Sequence, residues 1–259
     1  MVQTLLLAMT DPRMGLLLPN IVYNGMTLGF FFGDFGSFYT ANGTSRNLLA
    51  RTNVGYVTAS FYLVNAITSW FLGSIAAVVG RRGTVYIAIL SHGLFFALLL
   101  GLLSMEDPSE GSWQAWAQAI GPAVLFALGD AVWESQVPAT LQSSHYLPRE
   151  SDREAAMGNL KMWQSIGFAI QMGIGIGTTS LGSLGLWIKI LVLLGLHVLQ
   201  STCLVIADLR VQRFDEDHEG AHANGKGGST LHPAQLAGDA LSGEGSSNDE
   251  PLFVGTVRR

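Results

Sequence analysis

Charge is what this sequence has least of. Of 259 residues, 14 are Lys or Arg and 19 are Asp or Glu, 13% in all, about half the share carried by soluble globular domains. That deficit argues against an ordinary soluble enzyme. Cysteine is scarcer still: Cys203 stands alone in an apolar run, which excludes a disulfide framework and a thiolate metal site. There is no basic stripe and the net charge is −5, so a nucleic acid finds no electrostatic footprint. No Ser-His-Asp or Cys-His grouping is legible and no paired carboxylates are expected in a soluble cleft, so the sequence implies no enzyme, no cofactor and no metal. The first ten residues carry no basic stretch, and Asp11-Pro12-Arg13 is no small-residue cleavage site, so a signal peptide is not expected.

What is present is apolar length. Hydrophobic residues make up 49% of the chain and the mean hydropathy is +0.35. Six apolar stretches of spanning length, about 20 residues each, fall at 14–33, 54–79, 84–103, 115–138, 155–180 and 183–207. Lipid offers the backbone no hydrogen-bond partners, so each is expected to be a helix. The fold class expected is therefore all-α: a polytopic bundle of six transmembrane helices over 14–207, after a cytosolic lead-in at 1–13. Residues 208–259 hold 14 of the 33 charged side chains and Gly/Ser-rich runs such as Gly225-Lys226-Gly227-Gly228-Ser229, the composition of a disordered tail.

The connecting segments set the orientation. Arg13, Arg81, Arg82, Arg149, Arg153, Arg210 and Arg213 fall on one side of the expected spans, against Arg46 and Arg51 on the other. By the positive-inside rule both termini are cytosolic. The sole N-x-[ST] sequon, at Asn42, then lies in an external loop where glycosylation is feasible. Two local signals mark helix ends: Ser151-Asp152-Arg153-Glu154 reads as a capping box, and Gly80 with Gly83 brackets a tight turn.

Polar side chains inside the spans are the candidate functional residues, since each costs energy in lipid and must face a partner or a cavity. In the fourth segment Asp130, Trp133 and Glu134 share one helical face, with Gln136 beyond. The fifth brings Lys161, Trp163 and Gln164 to the same depth, so Lys161 is expected to pair with Glu134 or Asp130. The first carries Asn20, Tyr23, Asn24 and Thr27 as a stripe, with Asp34 toward the external end. Asn65, Thr68 and Ser69 repeat the spacing in the second. Two roles fit these groups: hydrogen bonds that fasten helices, or contact with a substrate or proton. His92 and His197, lone on apolar helices, read as structural, and Gly173-Ile174-Gly175-Ile176-Gly177 reads as helix packing rather than a dinucleotide loop, since no strand precedes it.

These residues also form a recognisable set. Leu16-Leu17-Leu18-Pro19 leading into Tyr23-Asn24-Gly25-Met26 and Gly29-Phe30, then Gly129-Asp130-Ala131-Val132-Trp133 with Gln136, then Asn159-Leu160-Lys161-Met162-Trp163 before Gly167-Phe168, resemble the second half of the Unc-ninety-three-like, or ion-channel-regulatory, family of the major facilitator superfamily. Gly73, Gly80, Arg81 and Arg82 fit the superfamily's cytosolic loop motif, G-x-x-x-D-R-x-G-R-R, with Ala77 and Val78 in place of its Asp and Arg. The resemblance implies a twelve-helix fold of which this chain is the second six-helix half. It also implies a central cavity lined by the first, second, fourth and fifth helices, and a role as regulatory or trafficking partner of an ion channel, receptor or other membrane protein. Half of a secondary transporter is the alternative. Thr27, Leu28 and Glu134 depart from the family pattern. Because one half lacks a second wall, a further six-helix unit is the expected partner, besides membrane lipid.

Overall fold

The computed structural model describes residues 7, 10–36, 49–50, 53–144 and 146–225, without the side chains of 208 and 210–225. The sequon Asn42 and the stretch 226–259 lie outside the described residues. Contacts divide the chain into Met1–Asp215 and Glu216–Arg259; the first unit is described here, and of the second only the end of a helix.

The described residues are helical, without a strand. α1 runs Pro12–Gly29 and passes into a π-helical turn, Phe30–Phe35. α2 is Val54–Leu103, α3 Trp113–Gln142, α4 Glu150–Thr178 and α5 Ser183–Gly225. Six separate helices were expected and five continuous ones are found, because α2 runs through both the second and third apolar stretches. Four of these helical stretches are long and apolar enough to cross a membrane: Pro12–Phe35, Val54–Leu103, Trp113–Gln142 and Ser183–Ala207. α4 has the length but not the hydropathy, because charged and amide side chains recur from Glu150 through Gln164.

The ends of the helices follow local chemistry. Asp11 caps α1 by accepting from the Arg13 amide at 2.8 Å, with Pro12 at the first helical position, where its missing N–H costs nothing. Ser112 does the same for α3 through the Ala115 amide, at 3.2 Å. The capping box expected at Ser151 does not form. α4 starts two residues earlier, after an extended Arg149 without a side-chain cap, and Glu150 and Asp152 instead set negative charge in its first turn. α5 continues beyond residue 207, where the apolar pattern stops, to Gly225.

α2 cannot be straight. Fifty residues at 1.5 Å per residue would span about 75 Å, more than twice the hydrocarbon thickness. Gly80 breaks it, with φ 73° and ψ 168°, a region closed to residues with a Cβ. Asn65 before the break bonds Asp130, and His92 after it meets the Phe126 carbonyl. On a straight helix those two residues would stand about 40 Å apart, yet their partners are one turn apart on α3. The arms therefore double back and lie side by side. Gly83, expected to share the turn, sits within the helix that follows, where a Cβ would meet Val79.

α1 and α4 cross at backbone contact. A Cβ on Gly25 would sit 2.0 Å from the Gln164 carbonyl oxygen, and one on Gly167 would sit 2.3 Å from that of Val22. Small residues at helix crossings permit such approach in membranes. The glycines at 173 and 177, read above as packing positions, have nothing within 4 Å; among the three only Gly175 has a neighbour, the Asp34 carboxylate.

Two apolar clusters fill the bundle. One is aromatic, with Phe31, Phe61 and Phe126 in mutual ring contact and Phe95 against Phe126. The other is built on Leu17, Val85, Trp133, Leu141 and Leu204. At the far end of the second cluster Arg13 and Tyr146 clasp reciprocally: the guanidinium donates to the Tyr146 carbonyl and the phenol to the Arg13 carbonyl, both at 2.6 Å.

Alanine at Gly25 or Gly167 is expected to cost about 1–3 kcal/mol through overpacking, read as a lower melting temperature in detergent. Gly173→Ala, in open space, should be neutral or slightly stabilising on helix propensity alone. Equal effects at the three sites would contradict the close crossing.

Candidate functional site

Between the two apolar clusters lies a layer of polar side chains, and in it a cavity of about 480 Å³ opens to one side. Asp130 and Glu134 of α3 line it, with Asn65 from the first arm of α2, Gln164 from α4, and aromatic walls. A helix turns 100° per residue, so positions i and i+4 differ by only 40° and the two carboxylates face the same way. Trp133 does not join them. At i+3 it falls on the other flank, 1% exposed, its indole N–H directed at His92 Nδ1 at 3.4 Å. Gln136 is further round α3 and borders a small void with Arg81 and Tyr146.

Gln164 is the hub. Its Nε2 donates to Asn24 Oδ1 at 2.9 Å and to Glu134 Oε1 at 2.5 Å, while its Oε1 accepts from Lys161 at 3.0 Å. Lys161 Nζ also lies 3.7 Å from Glu134 Oε2. The cation expected for one of the two acids thus serves Glu134, not Asp130. Asp130 Oδ2 accepts from Asn65 at 2.9 Å, and Oδ1 has no partner although the residue is 3% exposed. Trp163 lies against the second apolar cluster, away from the cavity, with its indole N–H unpartnered.

The rest of the α1 stripe divides among other tasks. Tyr23 OH meets His92 Nδ1 at 2.7 Å and Asn20 donates to Gln200 Oε1 at 2.6 Å. Gln200 in turn contacts His197 Nδ1 at 3.1 Å. His92 and His197, read as lone residues, have ring centroids 6.1 Å apart. Each places Nε2 against a backbone carbonyl, Phe126 for His92 and Ile89 for His197, so both are neutral rings with the proton on Nε2. Gly129 makes room for the His92 ring, which a Cβ there would meet at 2.1 Å. Thr27 folds back on the carbonyls of Tyr23 and Asn24.

Asp34 belongs to a second site. It pairs with Lys189 of α5 at 2.6 Å, the side chains 14% and 10% exposed, and accepts from Gln171 of α4 at 3.1 Å. Sequence reasoning missed Lys189, although a single cation in Leu186-Trp187-Ile188-Lys189-Ile190-Leu191 was itself the signal. It also missed Gln171 and Gln200, which carry no charge to mark them. Of the loop motif, Gly73 has open space around it, Gly80 makes the turn, and Arg81 donates to Thr140 Oγ1 at 2.9 Å. Groups of three or more His, Cys, Asp or Glu able to hold a metal do not occur among the described residues.

Known proteins similar to this chain include homologues of one protein from several vertebrates. Protein unc-93 homolog A of Xenopus laevis is 30% identical over 163 residues, covering 63% of this chain and 32% of that protein. The Danio rerio homologue is 30% identical over 160 residues, 62% and 31%. Over that stretch the chain is similar to UNC-93 proteins. The human unc-93 homolog A agrees, at 26% over 168 residues, 63% and 32%. The UNC-93 family is of major-facilitator type, and the chain spans about a third of the length of the curated relatives it matches. No family model and no solved structure matches it.

Neutralising one member of the Asp34–Lys189 pair strands the other, at a cost of about 3–5 kcal/mol. Asp34→Asn and Lys189→Met should each cut the folded fraction recovered on size exclusion, and the double change should restore much of it. Additive losses would refute a coupled pair.

Proposed function

We propose that this multi-pass membrane protein forms one six-helix half of a major-facilitator fold, the second half by its motifs. In it the two arms of α2 and helices α1, α3, α4 and α5 each cross the bilayer, α4 shielded from lipid along its polar face by α1. Its role on this reading is non-enzymatic: regulatory or trafficking partner of an ion channel or another membrane protein. One observation carries the proposal. Asn65, Asp130, Glu134 and Gln164 border a cavity that opens sideways, and polar groups at that depth cannot be left to lipid. A second helical unit laid over the opening satisfies them, and a six-helix unit of the same fold supplies the matching wall. The loop motif supports a fixed assembly: Ala77 replaces its acid, and Arg81 is held by a neutral threonine hydroxyl rather than by a charge that could be exchanged between states.

Photo-crosslinkers at Tyr62 and Asn65, at the mouth, should each trap one discrete polytopic adduct, whereas Leu98 and Leu199, exposed elsewhere, should trap none. Adducts from all four positions, or from Leu98 and Leu199 alone, would overturn the reading.

A second reading, half of a secondary transporter for a small solute or ion, coupled to protons, is favoured by the unpartnered oxygen of Asp130. On it Asp130→Asn should abolish uptake in proteoliposomes while expression is unchanged; undiminished uptake would remove it.

The orientation follows from the arginines. Arg13, Arg81 and Arg153 lie at one end, near Tyr146, Thr140 and Leu147, so that end is cytosolic, with both termini. Asn42→Gln should then eliminate a glycan-dependent mobility shift, and a glycan accepted by the 226–259 stretch would reverse the assignment.

A further inference from the structure

The cavity holds one more carboxylate than it has cations. Glu134 is served by Lys161 at 3.7 Å and by the Gln164 amide at 2.5 Å. Asp130 has neutral donors only, Asn65 at 2.9 Å and the neighbouring Asn24 amide, and its Oδ1 is left without a hydrogen bond. A carboxylate offers about four lone-pair sites, and no Lys, Arg or His pairs with this one among the described residues. Removing such a group from water without a counter-charge is expensive, so the site as built calls for a cation.

The walls say which kind. Phe32, Phe61 and Tyr62 form a connected aromatic surface, with Phe32 stacked on Tyr62 at 6.0 Å and Phe61 edge-on to Tyr62 at 5.2 Å. Phe168 stands on the α4 side of the same cavity. Phe32, Tyr62 and Phe168 are each more than a third exposed, so their rings are open to an occupant. Aromatic faces attract cations within about 6 Å. A hard inorganic ion wants six or more converging oxygens, and here the carboxylate and amide groups of the lining are interspersed with aromatic rings. The volume, about 480 Å³, is far beyond the need of a bare ion and within the 300–1,000 Å³ range of small-molecule sites.

We infer that the cavity binds a small organic cation, an amine or quaternary ammonium, with its charge against Asp130 and its alkyl groups against Phe32, Tyr62 and Phe168. Glu134, already neutralised by Lys161, orients Gln164 at the rim and does not supply the counter-charge. The inference takes from the second reading above only that the cavity is a ligand site; it does not require the ligand to be moved, and it is compatible with a second unit laid over the opening.

The test uses the full chain in detergent, radiolabelled choline as probe, and 3,3-dimethyl-1-butanol, its uncharged isostere, as competitor. Saturable choline binding is expected, displaced by excess tetramethylammonium and at least tenfold less well by the isostere or by potassium at equal concentration. Asp130→Asn, which keeps the shape and the Asn65 contact, should weaken binding tenfold or more. Tyr62→Leu, at an exposed position that does not threaten folding, should weaken it several-fold, while Leu199→Ala, exposed away from the cavity, should leave it within twofold. No saturable binding, an Asp130→Asn affinity equal to wild type, or equal displacement by the isostere or by potassium would each overturn the inference. Binding without uptake in proteoliposomes would leave it standing and remove the transport reading.

Discussion

The crossing of α1 and α4 is the constraint on which the polar centre depends. Because Gly25 and Gly167 carry no Cβ, each helix can set a backbone carbonyl where a side chain would otherwise be. That approach brings Asn24 within 2.9 Å of Gln164, and Gln164 then has Glu134 and Lys161 within reach of the same amide. Separate the helices by the width of a methyl group and the hub loses α1. Both carboxylates of α3 would then face a looser cavity. Packing and chemistry are one problem here: two residues without side chains determine which side chains can meet.

The distribution of polar groups follows a similar economy. Three sets of internal polar contacts stand out. The His92, Tyr23 and Trp133 set and the Asp34–Lys189 pair tie α1 to helices remote in sequence, and what the second leaves over is a neutral amide oxygen, that of Gln171. At the Asp130 site the oxygen left over belongs to a carboxylate, and that residue lines the cavity. In a low-dielectric interior an unsatisfied carboxylate costs more than an unsatisfied amide, which sets this site apart from the two that fasten helices.

Much of this was legible in the sequence because lipid restricts the options. Apolar length alone implied an all-helical bundle, and the price of charge in the membrane singled out Asp130, Glu134, Lys161 and Asp34. What could not be read was pairing across the chain. Spacing along one helix put Trp133 on the carboxylate face, yet the 100° between i+3 and i+4 was enough to turn it toward His92. His92 and His197 looked isolated because they are 105 positions apart on apolar segments, and nothing local says that α2 and α5 bring them together. Gln171 and Gln200 carry no charge and raised no signal. Local punctuation was only partly informative: Ser151 looked like a cap but falls inside the first turn of α4, and of the Gly80/Gly83 pair read as bracketing a tight turn, Gly80 alone makes it.

That single-residue turn bears on how the protein reaches the membrane. With no loop between the arms of α2, neither can be threaded while the other waits outside; the stretch from Val54 to Leu103 has to enter as one hairpin. Its backbone amides are satisfied before entry, within each arm, so the hairpin carries its own insertion energetics. The direction of one arm fixes that of the other, and on the proposed orientation the pair of arginines after the turn, Arg81 and Arg82, is a shared anchor on the side of synthesis.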